Sequence, residues 1–527
     1  MSDKTVTDVL IVGRGPVGMT LALLLARYGV NSVVVDPAGT EIRLSSKAVL
    51  MHGESLEILN RVEVGRTVAE QGIRLRGSRV FVRDRELRFD EFDQPDPYGY
   101  PTAVNFPQSE TERLLLQQVE REQRVDLRLG VAFEGLRQRD DHVVAELSDG
   151  SQVVAQYVAG CDGARSAVRK ALGLRFEGHA HDDHYLIVDI RADLPFADER
   201  RFIFHPPGGA GRTALIHPQP FSLWHLDFQV GKPPDLEAET RDGTLDQRIR
   251  SMVGKHDYEV TWSTSYVFKQ LMASRFSVGR CFLVGDAAHL YAPYGARGLN
   301  SGLADADNLA WKLGMVLTGQ ASPALLETYH EERRSVASRH FGVTSKTAAF
   351  MAPTTRMGRW RRDVTLAVGV RIPAARSLVD AGHFYRPEGV PESRLTMLGL
   401  SGLEDLAVMP GELMPDLPVA EGSARGIRRL RDSYGTHPMV VTIQQPVGDR
   451  VVVNVRHLGG DSIDQEFTTA AITARTRVLG EATSGVALLL RPDGFISRCL
   501  PLSQLADGHG DIVGSLAETA NRIYGDA

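Results

Sequence analysis

Cysteine is scarce in this sequence of 527 residues: Cys161, Cys281 and Cys499 are the whole complement, and they stand far apart. No CxxC pair and no metal-type spacing arises from them, which excludes a disulfide framework, a dithiol redox centre and a cysteine-bound metal. Long apolar runs are lacking too. None approaches the roughly 18 residues of a membrane-spanning helix, and "MSDKTVTDVL" has no apolar stretch of a secretory signal. A cytoplasmic location without membrane attachment is therefore expected. Nor is there an excess of positive charge: 60 Lys and Arg against 66 Asp and Glu leave a net charge of -6. No nucleic-acid partner is expected from that balance. What is present is ordinary for a folded chain, with 43% hydrophobic residues and room for several domains. No internal repeat or low-complexity tract occurs.

The first forty residues carry a spaced pattern. "TDVLIVGRGPVGMTLALLLARYGVNSVVVD" opens with an apolar run, Val9 to Val12, then Gly13, Gly15, Pro16 and Gly18. Leu21, Leu24, Leu25 and Tyr28 follow at helical spacing, and a second apolar run ends in Asp36. Strand, glycine turn, helix, strand and acid make a dinucleotide-binding unit. The glycines let a pyrophosphate approach the helix N-terminus, and Asp36 stands where a carboxylate accepts a ribose hydroxyl. The pattern alone does not separate FAD from NAD. A second such unit is missing: "PPGGAGRTALI" and "RHLGGDS" are glycine-rich but lack the spacing and the helix. The chain thus binds one dinucleotide, either permanently or transiently.

A later stretch, "RCFLVGDAAHLYAPYGARGLNSGLADADNLAWKL", reads as a buried strand, Cys281 to Val284, ending at Gly285 and Asp286. Asp286 could accept hydrogen bonds from a polyol such as a ribityl chain. Pro293, Gly295 and Gly298 form a loop a flat ligand can approach. Ser301 is the expected N-cap of a helix with Leu303, Ala306, Ala310, Leu313 and Leu317 on one face. The positive end of that helix would favour a reduced, anionic flavin.

These motifs, with "GCDGARSAVRKALG" between them and "LLETYHEERR" after them, resemble the FAD-dependent aromatic hydroxylases of the p-hydroxybenzoate hydroxylase fold, over about residues 5 to 345. The larger phenol and polyketide hydroxylases are the most similar subgroup. The resemblance implies that Asp162 and Gly163 lie at the FAD edge, a place linked also to nicotinamide nucleotide. It implies that Gln108 and Arg113 contact the nucleotide, and that Leu299 and Asn300 belong to the flavin loop. Two departures stand out. Lys47 replaces a more usual Arg, so it can neutralise pyrophosphate but without bidentate geometry. Ala296 replaces a glycine, beside Arg297, whose cation would either favour anionic flavin or face solvent.

The expected fold is α/β. A Rossmann-like FAD-binding domain (1–73, 100–180 and 276–345) carries an inserted antiparallel-sheet substrate domain (74–99 and 181–275). A helical linker (346–400) leads to a thioredoxin-like C-terminal domain (401–527) without redox cysteines, structural or oligomeric in role. Apolar-polar alternation in "HYLIVDIRADL", "TALIHPQ" and "SLWHLDFQV" supports the inserted sheet. His205, His217, Trp224, His225, Tyr266 and Phe268 lie on its strands, and no spacing singles out a catalytic base among them.

The function this implies is hydroxylation of a phenolic or polycyclic aromatic substrate by an FAD monooxygenase. NAD(P)H would be the reducing co-substrate, dioxygen would be consumed, and a flavin C4a-hydroperoxide would carry the oxygen. Baeyer–Villiger or other oxygenation on the same scaffold, and a flavin-binding protein without turnover, are the alternatives. A halogenase is disfavoured because no WxWxIP occurs. No metal site is expected. The substrate, the choice between NADH and NADPH, and a homo-oligomeric state are left open by the sequence.

Overall fold

The computed structural model describes residues 4–41, 49–92, 99–207, 212–353, 355–380, 386–397, 405–420, 428–458, 465–482, 485–502 and 512–525. Three larger sheets organise them. The first is built on five parallel strands in the order Cys281–Leu283, Gln152–Gly160, Lys4–Val12, Ser32–Asp36 and Val125–Leu129. Their central residues are apolar on both faces, as Val9 to Val12 are, because helices cover both sides. Register places Val12 beside Gly160 and Val35, and Gly160 beside Leu283. The carboxyl ends of four strands therefore share one edge, where open α/β sheets bind their ligands.

The second sheet is eight-stranded, in the order His289–Leu290, Tyr258–Ala273, Phe176–Ala192, Leu223–Val230, Thr213–Gln219, Glu199–Phe204, Gly77–Val82 and Arg85–Glu91. Its alternating sequence has a physical cause. Leu186, Val188, Ile190, Ala214, Ile216, Trp224, Leu226 and Phe228 form one apolar cluster with Leu245, Ile249 and Met252 of helix Thr244–Val253. The opposite face of the central strands is polar yet shielded: His217, Gln219, His225 and Gln229 are all 6% exposed or less. That polar stripe lines the interior.

The third sheet has five strands, Gln465–Ala470, Arg450–His457, Met439–Ile443, Val486–Leu490 and Ile496–Pro501. All four pairings are antiparallel, and they do not establish the thioredoxin-like arrangement the resemblance suggested. Val440, Ala487 and Leu489 pack with helix Ile512–Gly525 against Trp311 and Met315 of helix Arg297–Leu317. Cys161, Cys281 and Cys499 are free and buried.

Candidate functional site

The parallel strand edge gathers the glycine turn, Asp36, Asp162 and Gly285. Gly13 adopts φ +107, and a methyl there would sit 2.5 Å from the Cys161 carbonyl oxygen. At Gly18 it would sit 2.0 Å from the Gly13 carbonyl oxygen. These two glycines close the turn on itself. Gly15 differs: a methyl there meets nothing within 4 Å. Pro16, buried, opens helix Pro16–Arg27 with Gly15 as its cap. Asp36 accepts from the backbone N–H of Arg14 and of Ala38, both at 2.8 Å, so it braces the turn from the second strand.

Val17 joins the two distant motifs. Its side chain lies 3.3 Å from where a methyl on Gly285 would stand, and 2.8 Å from one on Gly302. Behind Gly285, the buried Asp305 accepts from the Gly285 N–H at 3.1 Å and from Arg333 Nε at 2.6 Å, with His289 Nε2 at 2.7 Å. Burial alone would raise the Asp305 carboxyl, but His289 and Arg333 outweigh it and hold it down. Asp305 was not expected from sequence; its signal is an acid among the buried positions of "GLADADNL".

The middle motif reaches the same place. Asp162 Oδ2 accepts from Ala167 N at 2.6 Å and Val168 N at 3.1 Å, so it caps the next helix. Its Oδ1 is buried with no partner. Arg169 Nη1 donates to the Ala287 carbonyl at 3.0 Å, tying this motif to the Gly285–Ala287 turn. Gly163 has φ +74 and open space above it. Asp286 itself is exposed, and with burial it pushes the Tyr266 phenol up.

The loop after Tyr291 departs from expectation in two ways. Helix Arg297–Leu317 starts four residues before Ser301, with Ala296 as its cap, so Ser301 is inside the helix and is not its N-cap. Ala296 is left-handed at φ 55, which explains why glycine suits this position better. Arg297 does not face solvent. It is 4% exposed, and its Nη1 donates to the Tyr294 carbonyl at 2.8 Å. Asn300 takes the His52 N–H on Oδ1 at 3.1 Å and donates to the Leu50 carbonyl at 3.0 Å. Its side chain anchors the loop to strand Leu50–His52. Leu299 packs half-buried on the main core, Pro293 is exposed, and Gly298 opens onto free space.

Other expected residues are placed as follows. Gln108 begins helix Gln108–Arg121 and donates to Glu112 at 2.7 Å. Arg113 pairs with Glu110 at 2.8 Å. Lys47 lies outside the described residues. Trp224 turns to the outer apolar cluster, away from the polar face, and donates to the Ala192 carbonyl. His205 lies 3.4 Å from Asp363. Tyr266 and Phe268 stand edge to face at 4.8 Å, and Phe268 meets Tyr185 at 4.4 Å. The Tyr185 hydroxyl is 2.6 Å from that of Tyr294, which joins the second sheet to the loop.

An FAD fits these features. Gly15, Gly163 and Gly298 present backbone without side chains to open space, and Asp162 offers an orphaned acceptor. Residues 6–342 match the family model described as FAD binding domain. The chain belongs to the FAD-dependent monooxygenases. A 3-(3-hydroxy-phenyl)propionate/3-hydroxycinnamic acid hydroxylase of Burkholderia cenocepacia is 30% identical over 82% of this chain and 79% of its own. A 12-dehydrotetracycline 5-monooxygenase/anhydrotetracycline 6-monooxygenase of Streptomyces rimosus is 30% identical over 93% and 94%. The solved anhydrotetracycline hydroxylase of Streptomyces rimosus superposes with a TM-score of 0.67 at 25% identity, covering 99% of each chain. As a family member the chain is a flavoprotein with FAD as cofactor. Among the described residues, no helix is long and apolar enough to cross a membrane.

Proposed function

We propose that this protein hydroxylates an aromatic ring, phenolic or polycyclic, with NAD(P)H as reductant and dioxygen as oxidant. The packing of Val17 against both Gly285 and Gly302 carries the reading, because it brings two motifs far apart in sequence to one strand edge. The hydroxylated aromatic rings in the relatives' names support the substrate class. Bound FAD supplies the oxygen-activating chemistry.

The chain's own residues position and tune. The Gly13–Gly18 turn and the N-terminus of helix Pro16–Arg27 would receive the pyrophosphate, and Asp36 the ribose. Gln108 and Lys47 are assigned to the same nucleotide, with Asp162 and Gly163 at its edge. Gly285, Asp286, Pro293 and Gly298 to Asn300 would frame the flavin end. There the N-terminus of helix Arg297–Leu317 favours negative charge. The second sheet, its Tyr185 fixed to Tyr294 of the loop, would cover the ring and exclude water. We assign a discontinuous FAD domain, an inserted sheet domain and a C-terminal structural domain, and the presence of three larger sheets supports this division.

The test is direct. The purified chain, loaded with FAD, should oxidise NADH or NADPH faster when phenols, naphthols or hydroxyanthraquinones are added. Product formed under labelled dioxygen should carry one labelled oxygen atom. Substrate-independent NAD(P)H oxidation across the panel, with no label in any ring, would overturn the reading.

A further inference from the structure

The interior face of the second sheet holds an array that cofactor binding does not use. His225 is saturated: its Nδ1 lies 2.6 Å from Asp189 Oδ1 and its Nε2 3.4 Å from Asp227 Oδ1. Burial would lower its pKa, but Asp227 and Asp189 outweigh burial and push it up to about 10. It is therefore a fixed imidazolium.

His217, on the neighbouring strand, is register partner to His225, with ring centroids 6.1 Å apart. It is the opposite case. Burial, then the cations of Arg200 and His225, hold its pKa well below the usual range, so it is neutral. Its Nδ1 is buried with no hydrogen-bond partner. Two residues on, Gln219 Oε1 is also buried and unpartnered, and so is Asn105 Oδ1. The Asn105 amide donates to the Pro218 carbonyl at 2.8 Å, which seats it between those two residues. A buried polar atom without a partner is costly. Three gathered at one strand end mark a place where the partner arrives with a ligand.

The array also connects to the loop assigned to the flavin. Asn105 is register partner to Leu50, and the Leu50 carbonyl receives Asn300 of the flavin loop. The charges nearby cancel, Arg200 and His225 against Asp189 and Asp227. The site is thus not built for a carboxylate. Two amide oxygens need donors, and a neutral imidazole both donates and accepts. A ring hydroxyl donates to one amide oxygen and accepts from the imidazole, and a second hydroxyl on the same edge would serve the other amide oxygen.

We propose that His217 is a specificity-determining residue that hydrogen-bonds a ring hydroxyl of the aromatic substrate, with Gln219 and Asn105 accepting from the same hydroxylated edge. His225, held by Asp189 and Asp227, stands beside the His217 ring at 6.1 Å between centroids. The assignment rests on the hydroxylase reading above.

Binding is measured on FAD-loaded full-length protein through the change in flavin absorption. The probes are 2-naphthol against naphthalene and 1-hydroxyanthraquinone against anthraquinone. Wild type should prefer each hydroxylated ring by about tenfold or more, because an unpaired buried site rejects the analogue lacking the hydroxyl. In His217→Phe the preference should fall to about twofold or less, with FAD content and melting temperature kept. Gln219→Leu should lower it several-fold and carries the test alone if the Phe variant does not fold. A wild type without preference, or variants that keep it, would overturn the assignment. Preference lost in the variants but no ring-stimulated NAD(P)H oxidation would sink the hydroxylase reading and leave His217 as a hydroxyl-binding residue.

Discussion

Gly15 and Gly18 are three residues apart and should fail differently. A methyl on Gly18 meets the Gly13 carbonyl oxygen at 2.0 Å, whereas one on Gly15 meets no protein atom. Gly18→Ala is therefore expected to cost the fold itself, read as a lowered melting temperature. Gly15→Ala is expected to fold normally and lose FAD affinity, read as cofactor retained through gel filtration. An equal loss of melting temperature in both would show that Gly15 is a packing residue. Ala296 makes the complementary case. Its φ of 55 is strained for any residue with a side chain, so Ala296→Gly should change stability by no more than about 1 kcal/mol, on the stabilising side. Thermal unfolding of the two proteins side by side checks it.

At the scale of elements, one buried network welds the C-terminal sheet to the long helices. Glu332, on helix Glu327–Met351, accepts from Arg491 Nη1 at 2.7 Å and from Lys312 Nζ at 2.8 Å. Asp493 takes the Trp311 indole N–H at 2.9 Å and pairs with Arg491. Burial lowers the Lys312 pKa to about 8 against the pull of Glu332. Two cations face two anions, all less than about a fiftieth exposed. Removing Glu332 leaves two buried cations facing one anion, Asp493, and takes the carboxylate from Lys312. Glu332→Gln should therefore lower unfolding stability by about 3 to 5 kcal/mol, measured by urea denaturation. A loss below about 1 kcal/mol would mean water replaces the pair. The strand pattern was readable here and the network was not. "TALIHPQ" and "SLWHLDFQV" announce strands by alternation, but alternation cannot say which face meets solvent. In this sheet the polar face is buried.

At the scale of the molecule, the buried histidines set the pH window. His52 is lowered to about 4, chiefly by burial, and His217 and His340 are lowered too, again chiefly by burial. Each is neutral when folded and titrates near 6.5 when unfolded, so the unfolded chain binds more protons in acid. Stability should fall as pH drops below about 6.5. His225 works in the other direction. Its raised pKa contributes stability that is fully present below about 6.5 and is lost as pH rises towards about 10. Urea midpoints across this range should show losses on both sides, and His225→Gln should abolish the alkaline one. An unchanged alkaline slope in that variant would mean the Asp189 and Asp227 pairing is not what holds the proton.

The sequence by itself determined the glycine turn, Asp36 at the end of the second strand and the strand–loop–helix around Gly285. These depend on local spacing: a glycine either fits a tight turn or blocks it, whatever lies elsewhere. It also determined the family, since three motifs in order lie within residues 6–342, the span of the family match. Only the tertiary structure decided that the helix begins at Arg297, that Arg297 turns inward, and that Asp305 braces Gly285. It alone paired His225 with Asp189 across strands and left His217 Nδ1 without a partner. The physical reason is register: which side chains meet across a sheet is fixed by how strands align in space, and that alignment is written in no single stretch of residues.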